Sequence, residues 1–120
     1  MNAEELKSVA QAIVGKQKGV LAADESSPTI KKRFASIDLE STEEHRRRYR
    51  ELLLTAPGIE QYISGVILFD ETLRQASVEG VPFADVLSSR GIVPGIKVDK
   101  GAKPLAGYPG ERVTEGLDGL

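Results

Sequence analysis

Two short apolar runs, each opened by a glycine and stopped by acids, limit what this chain can fold into. Gly19-Val20-Leu21-Ala22-Ala23 halts on Asp24 and Glu25, and Gly65-Val66-Ile67-Leu68-Phe69 halts on Asp70 and Glu71. An unbroken apolar run of this length, without alternation, is the mark of a strand buried between layers, as in a parallel sheet clad by helices. In such sheets ligands bind at the carboxyl ends of the strands, so Asp24 and Glu25 stand where chemistry is expected. A second reading of the first run is structural: Ser27 caps the next helix and Asp24 completes a turn. A third run, Ile92 to Val98, is interrupted by Pro94 and Gly95, which confines the predicted strand to Gly95 through Val98. It too ends polar, on Lys97, Asp99 and Lys100.

The intervening segments carry helical spacing. Asn2 with Glu5 forms a capping-box pattern, and Leu6, Val9, Ala10 and Ile13 then recur on one face until Gly15. Ile30, Phe34 and Ile37 predict a helix starting at Pro28. Lys31, Lys32 and Arg33 fall in its first two turns, against the dipole preference, so they either face a bound anion or form a solvated basic face. Ser41 with Glu44 predicts another capped helix running through Leu54, with His45, Tyr49, Leu52, Leu53 and Ala56 on the inner side and Arg46 at its edge. Glu43 with Arg47 and Glu44 with Arg48 have the spacing of surface pairs, which leaves Arg46 and Arg50 as candidates to bind something. His45, the single histidine, borders the buried face; one imidazole is poor support for a metal site. A helical stretch follows Asp70, and Pro82 opens a further helix with Phe83, Val86 and Leu87, closed by Gly91. Gly101 to Arg112 reads as a loop, and Thr114-Glu115 as the start of one more helix in which the chain ends.

The 120 residues are 40 % hydrophobic and 28 % charged, with a net charge of −2, the balance of one globular domain with no global basic field for nucleic acid or an anionic membrane. There is no cysteine, which removes disulfides and thiolate metal sites and is compatible with a reducing compartment. The acidic amino terminus lacks the pattern of a signal peptide, and no apolar run approaches membrane-spanning length, so a cytoplasmic location is expected. The succession of β/α units implies a parallel sheet with helical crossovers, and three strands cannot close a barrel, so the expectation is the first part of a larger fold.

Taken in order, Lys18-Gly19-Val20-Leu21-Ala22-Ala23-Asp24-Glu25-Ser26, Gly65 to Phe69 with Glu71-Thr72-Leu73, Gly95-Ile96-Lys97-Val98-Asp99-Lys100-Gly101, Pro104-Leu105-Ala106-Gly107 and Gly116-Leu117-Asp118-Gly119-Leu120 resemble the amino-terminal third of class I fructose-1,6-bisphosphate aldolase. The resemblance implies an α/β fold in which residues 1–120 form an opening helix and the first three β/α units of a TIM (β/α)8 barrel, incomplete as it stands. It further implies a carbon–carbon lyase of glycolysis and gluconeogenesis. Such an enzyme cleaves fructose 1,6-bisphosphate reversibly to glycerone phosphate and glyceraldehyde 3-phosphate through a lysine Schiff base, without metal or other cofactor. An amine is nucleophilic only when unprotonated, and a neighbouring cation helps by lowering its pKa; the iminium then draws electrons from the breaking bond.

Carried over by position, Asp24 corresponds to the first-strand aspartate that meets the Schiff-base lysine and substrate hydroxyls, and Lys97 to the third-strand lysine that contacts substrate and intermediates. Arg33 matches a phosphate-binding arginine, Thr29 stands where the family has a serine near the same phosphate, and Arg46 aligns with a substrate-binding arginine. The implied partners are a sugar phosphate and, in the parent enzyme, other copies in a homo-oligomer, often a tetramer. Three positions depart from the family. Pro28 replaces a glycine, Lys31 adds a charge beside the phosphate positions, and Asp70 falls where members differ and is read as structural. The Schiff-base lysine and the glutamate acid/base belong to later strands and are not in this sequence. Two alternatives stand beside an enzyme segment: a non-catalytic aldolase-derived binding fragment, and an unrelated domain holding phosphate at Ser27 to Arg33.

Overall fold

The computed structural model describes residues 2–15 and 17–118. Helix α1, Ala3–Val14, starts as its sequence requires: the Asn2 side chain accepts from the Glu5 amide at 2.9 Å and the Glu5 carboxylate accepts from the Asn2 amide at 2.7 Å. None of its residues is buried, and Leu6 and Val9 of its apolar face remain exposed. The helix touches the sheet near its end, where Ser64 donates to the Ile13 carbonyl at 2.7 Å.

Strands β1 (Gly19–Ala23), β2 (Ile63–Leu68) and β3 (Val93–Ile96) form one parallel sheet in the order β1-β2-β3. Ala23 pairs with Leu68, and Leu68 with Ile96, so all three strands deliver their carboxyl ends to one edge of the sheet. The third strand begins two residues before the predicted Gly95 and includes Pro94. Because the Lys97 amide donates to Leu68, alternation along β3 turns Pro94 away from β2 to the open side, where its missing N–H breaks no ladder bond.

One face of the sheet is sealed by helices. Ala23, Val66 and Leu68 pack with Leu54 of α3 (Glu43–Leu54), Phe83 and Leu87 of α5 (Phe83–Ser89), and Ile92. Between β2 and α5 lies α4, a single turn at Asp70–Leu73. The other face is covered only where the end of α1 brings Ile13 near Gly65, and Val20 on it remains 48 % exposed. The strands are therefore fully covered on one side and only partly on the other, not on both as their unbroken apolar runs suggest.

Helix α2, Ser27–Ala35, begins one residue before Pro28 and buries Ile30 and Phe34. Ile37 lies beyond it and is exposed. The helix closes when Asp38 takes a left-handed conformation (φ 53°) and the Leu39 amide returns to the Phe34 carbonyl at 3.0 Å. In so short a helix Lys32 and Arg33 occupy the last turn, where the dipole favours cations, so their placement is no anomaly.

Thr42, not Ser41, caps α3, accepting from the His45 amide at 3.1 Å. Its buried residues are Arg50 and Leu54, while Leu52 is exposed, so the inner face is rotated from the predicted one. The predicted surface pairs also differ: Arg47 bonds Glu44 and Glu51 instead of Glu43, and Arg48 makes no pair with Glu44. After β3 the chain forms an antiparallel hairpin, β4 (Ala102–Pro104) with β5 (Arg112–Thr114), in place of the expected loop and helix. Thr114 ends a strand, and no helix follows it among the described residues. The hairpin's end crosses back over residues 98–100. A Cβ on Gly116 would lie 2.4 Å from the Val98 carbonyl oxygen, and the Lys100 amide bonds the Glu115 carbonyl at 2.8 Å.

Candidate active site

Where β1 ends, the buried Ala23 anchors the backbone and the next residue, Asp24, turns out of the sheet half-buried. Where β3 ends, Lys97 does the same from the opposite edge strand. The lysine stem is long enough to span the end of β2, and its Nζ stands 3.6 Å from Asp24 Oδ2 while also donating to Asp99. Asp99 is fixed in turn by the Gly101 amide at 3.1 Å. The Asp99 hydrogen bond, opposed by some desolvation and aided by the charges of Asp99 and Asp24, raises the Lys97 pKa above the ordinary lysine value. The same bond lowers Asp99 below its ordinary value. Lys97 is a held cation.

Glu25, next to Asp24, gathers two arginines from different helices. Arg33 of α2 donates to one carboxylate oxygen and Arg50 of α3 to the other; Arg50 also reaches the Glu25 main-chain carbonyl at 2.7 Å. Burial pushes the Glu25 carboxyl up, but the Arg50 hydrogen bond and the two guanidinium charges outweigh it and hold the pKa below the ordinary value. Arg33 donates from the same nitrogen to the Tyr49 hydroxyl at 3.1 Å, and Tyr49 packs edge-on against Phe34. Thr29 is exposed in the first turn of α2, its hydroxyl 3.3 Å from that of Ser26.

Arg46 is differently employed. Its Nε and one terminal nitrogen grip the Glu71 carboxylate at 2.7 Å each, and the other terminal nitrogen donates to the Ser41 carbonyl at 2.7 Å. This fork ties the start of α3 to the turn after β2. Asp70, beside Glu71, pairs with Arg74 at 2.9 Å on the surface. His45 spends Nδ1 on the Glu40 carbonyl at 2.7 Å.

The structure thus brings Asp24 together with Lys97, sets Arg33 on the adjoining Glu25, and leaves Arg46 occupied by Glu71. Asp99, Tyr49 and Glu71 escaped the sequence reading as members of this network. Asp99 had a signal, its place two residues after Lys97 at a strand end; Tyr49 had none. Among the described residues no three His, Cys, Asp or Glu side chains gather as a metal site, and no helix is long and apolar enough to cross a membrane. A cavity of about 550 Å3 lies elsewhere, lined by Glu51, Val78, Val86 and Arg90 among others.

The site is thus the carboxyl edge of a parallel α/β sheet, with an aspartate–lysine contact and arginine–carboxylate pairs grouped beside it. The comparisons carry this to a family. Residues 5–120 match the model for fructose-bisphosphate aldolase class-I, and the chain belongs to that family. It is 63 % identical over 120 residues to a probable fructose-bisphosphate aldolase class 1 of Xanthomonas axonopodis pv. citri, covering all of this chain and 36 % of that protein. It is 62 % identical over 103 residues to the cytoplasmic isozyme of fructose-bisphosphate aldolase from Cicer arietinum, covering 86 % of this chain and 29 % of that one. A solved structure of fructose-bisphosphate aldolase from Plasmodium falciparum, in complex with TRAP and a small molecule inhibitor, matches with a TM-score of 0.90 and 52 % identity over 98 % of this chain and 34 % of that one. The chain spans about a third of the length of these relatives.

Proposed function

We propose that residues 1–120 form the opening helix and first three β/α units of an aldolase barrel, and that they furnish one side of its active site. The reaction is the reversible Schiff-base cleavage of fructose 1,6-bisphosphate to glycerone phosphate and glyceraldehyde 3-phosphate. The observation that carries this reading is the contact between Asp24 and Lys97, because it puts a carboxylate and a cation side by side where barrel enzymes bind substrate. The partly open sheet face bearing Val20 suits the interior of a closed barrel, and the sealed face its helical jacket.

In this reading Asp24 faces the iminium and the substrate hydroxyls, stabilising positive charge that exists only after the Schiff base forms. Lys97 remains protonated. It contacts the substrate as a cation and depresses the pKa of the nucleophilic lysine contributed by a later strand. Arg33 binds a substrate phosphate with the nitrogens that Glu25 and Tyr49 leave free, and Thr29 offers its exposed hydroxyl near the same phosphate. Arg46 reaches substrate only by releasing Glu71. The complete enzyme works as a cytoplasmic homo-oligomer.

The test uses a chain extended to the relatives' full length. It is incubated with fructose 1,6-bisphosphate with and without a chelator, then with borohydride, which reduces a Schiff base to a stable amine. Cleavage indifferent to the chelator is expected, with the adduct on a lysine outside residues 1–120. Loss of activity restored by zinc, or an adduct on Lys97, overturns the assignment.

A further inference from the structure

Arg50 is 2 % exposed, and the chemistry proposed above does not use it. A guanidinium is kept in such a place only if its charge is neutralised and its donors are satisfied. One residue meets the charge and engages both terminal nitrogens: one donates to the Glu25 carboxylate and the other to the Glu25 main-chain carbonyl, at 2.7 Å. The two bonds have different consequences. The carbonyl bond fixes the peptide between Glu25 and Ser26, one residue beyond Asp24, and so pins the turn by which the chain leaves β1. The carboxylate bond orients Glu25 so that its second oxygen accepts from Arg33.

Arg33 is then held by one edge only. A single terminal nitrogen makes both of its bonds, to Glu25 and to the Tyr49 hydroxyl at 3.1 Å, and among the described residues Nε and the other terminal nitrogen have no protein partner. Its side chain is 54 % exposed, whereas that of Glu25 is 15 % exposed and that of Arg50 3 %. Exposure therefore falls from the free edge of Arg33 inward to Arg50. A long side chain that would otherwise sample many rotamers is presented with a two-donor edge free, the geometry that matches phosphate oxygens.

We infer that Arg50, Glu25 and Tyr49 are positioning residues: Arg50, through Glu25, holds the turn that follows Asp24 at the end of β1 and, together with Tyr49, sets the phosphate-binding edge of Arg33. This rests on the proposed function of Asp24 and Arg33. Tyr49→Phe is the decisive variant, since it deletes one hydroxyl and keeps the ring that packs on Phe34, 5.7 Å between centroids.

In a chain extended to the relatives' full length, Tyr49→Phe should raise KM for fructose 1,6-bisphosphate about threefold to tenfold with kcat retained, as the loss of one hydrogen bond to a charged group predicts. The double variant with Arg33→Ala should have the KM of Arg33→Ala alone, because the hydroxyl acts only through that arginine. Arg50→Lys, which cannot make both bonds, should raise KM and also lower kcat. If Arg33→Ala raises KM while Tyr49→Phe is silent or additive with it, the positioning scheme is wrong and the phosphate assignment stands. If Arg33→Ala itself leaves KM unchanged, the phosphate assignment falls and the scheme with it.

Discussion

Lys97 Nζ approaches Asp24 Oδ2 to 3.6 Å although the two residues follow opposite edge strands of the sheet, with β2 between them. Two strands placed for other reasons need not bring their terminal side chains together; a lysine stem laid across the end of the middle strand does so. In a chain of full family length, Asp24→Asn is nearly isosteric and keeps the turn, but removes the charge proposed to face the iminium. It should lower kcat by about a hundredfold while changing KM little, since the lost interaction is made only after the Schiff base exists. Steady-state kinetics decide it. An unchanged kcat would make the end of β1 a structural turn.

The pair formed by Lys97 and Asp99 yields a pH dependence. Lys97 has its pKa raised by the Asp99 hydrogen bond, so its contribution to stability is complete below the ordinary lysine pKa and is lost as pH rises through the raised value. Asp99 has its pKa lowered by the same bond, so its contribution is present above the ordinary carboxylate pKa and is lost as pH falls through the lowered value. The interaction is therefore constant across neutrality and fails only at the extremes. Asp99→Asn should let the Lys97 pKa fall towards its ordinary value. The alkaline limb of kcat/KM should then move to lower pH, and a profile that does not move would mean that Lys97 protonation is not required.

Arg46 and Glu71 test whether a family position serves substrate or scaffold. The fork is partly buried, with side-chain exposures of 17 % and 26 %, and it joins α3 to the turn after β2. Glu71→Ala leaves the guanidinium partly buried without its carboxylate and should cost about 1–3 kcal/mol of unfolding free energy. The urea midpoint measures that cost. If Arg46 reaches substrate by leaving Glu71, the same substitution should lower KM, because the competing carboxylate is gone; an unchanged KM would confine Arg46 to the scaffold.

The strands were legible because β1 and β2 are unbroken apolar runs, and the helix starts because Asn2, Pro28 and Pro82 are local signals whose chemistry acts within a few residues. The inner face of α3 was not legible. Hydropathy assigns arginine to solvent, yet Arg50 is buried because Glu25, distant in sequence, meets its charge and accepts from both terminal nitrogens. Pro94 argued against a strand that forms anyway, because the side it interrupts carries no neighbour. The hairpin of β4 and β5 was hidden by its glycines and prolines, which read as loop until pairing is known. The roles proposed for Asp24 and Lys97 rest on the family resemblance, while their contact required the fold.

The last prediction concerns these residues by themselves: given fructose 1,6-bisphosphate and borohydride, the 120-residue chain should neither cleave the sugar nor acquire an adduct. Lys97 is the lysine closest to the proposed chemistry, and it is the wrong kind of amine. Asp99 accepts a hydrogen bond from it and Asp24 adds a second negative charge nearby, so the protonated form is favoured and the lone pair needed for attack on a ketone is withheld. The chain should also be prone to association. Val20, Ile96 and Val98 are exposed large apolar residues on or beside the edge strands, whose outer ladder groups have no partner strand among the described residues, which favours pairing with a second chain. Val66 and Leu68 add nothing to that surface, since α3 and α5 bury them. Mass spectrometry after borohydride treatment, together with sedimentation, checks both halves. A monodisperse monomer carrying a reduced adduct on Lys97 would show that this lysine is the nucleophile and that the sheet edges need no covering.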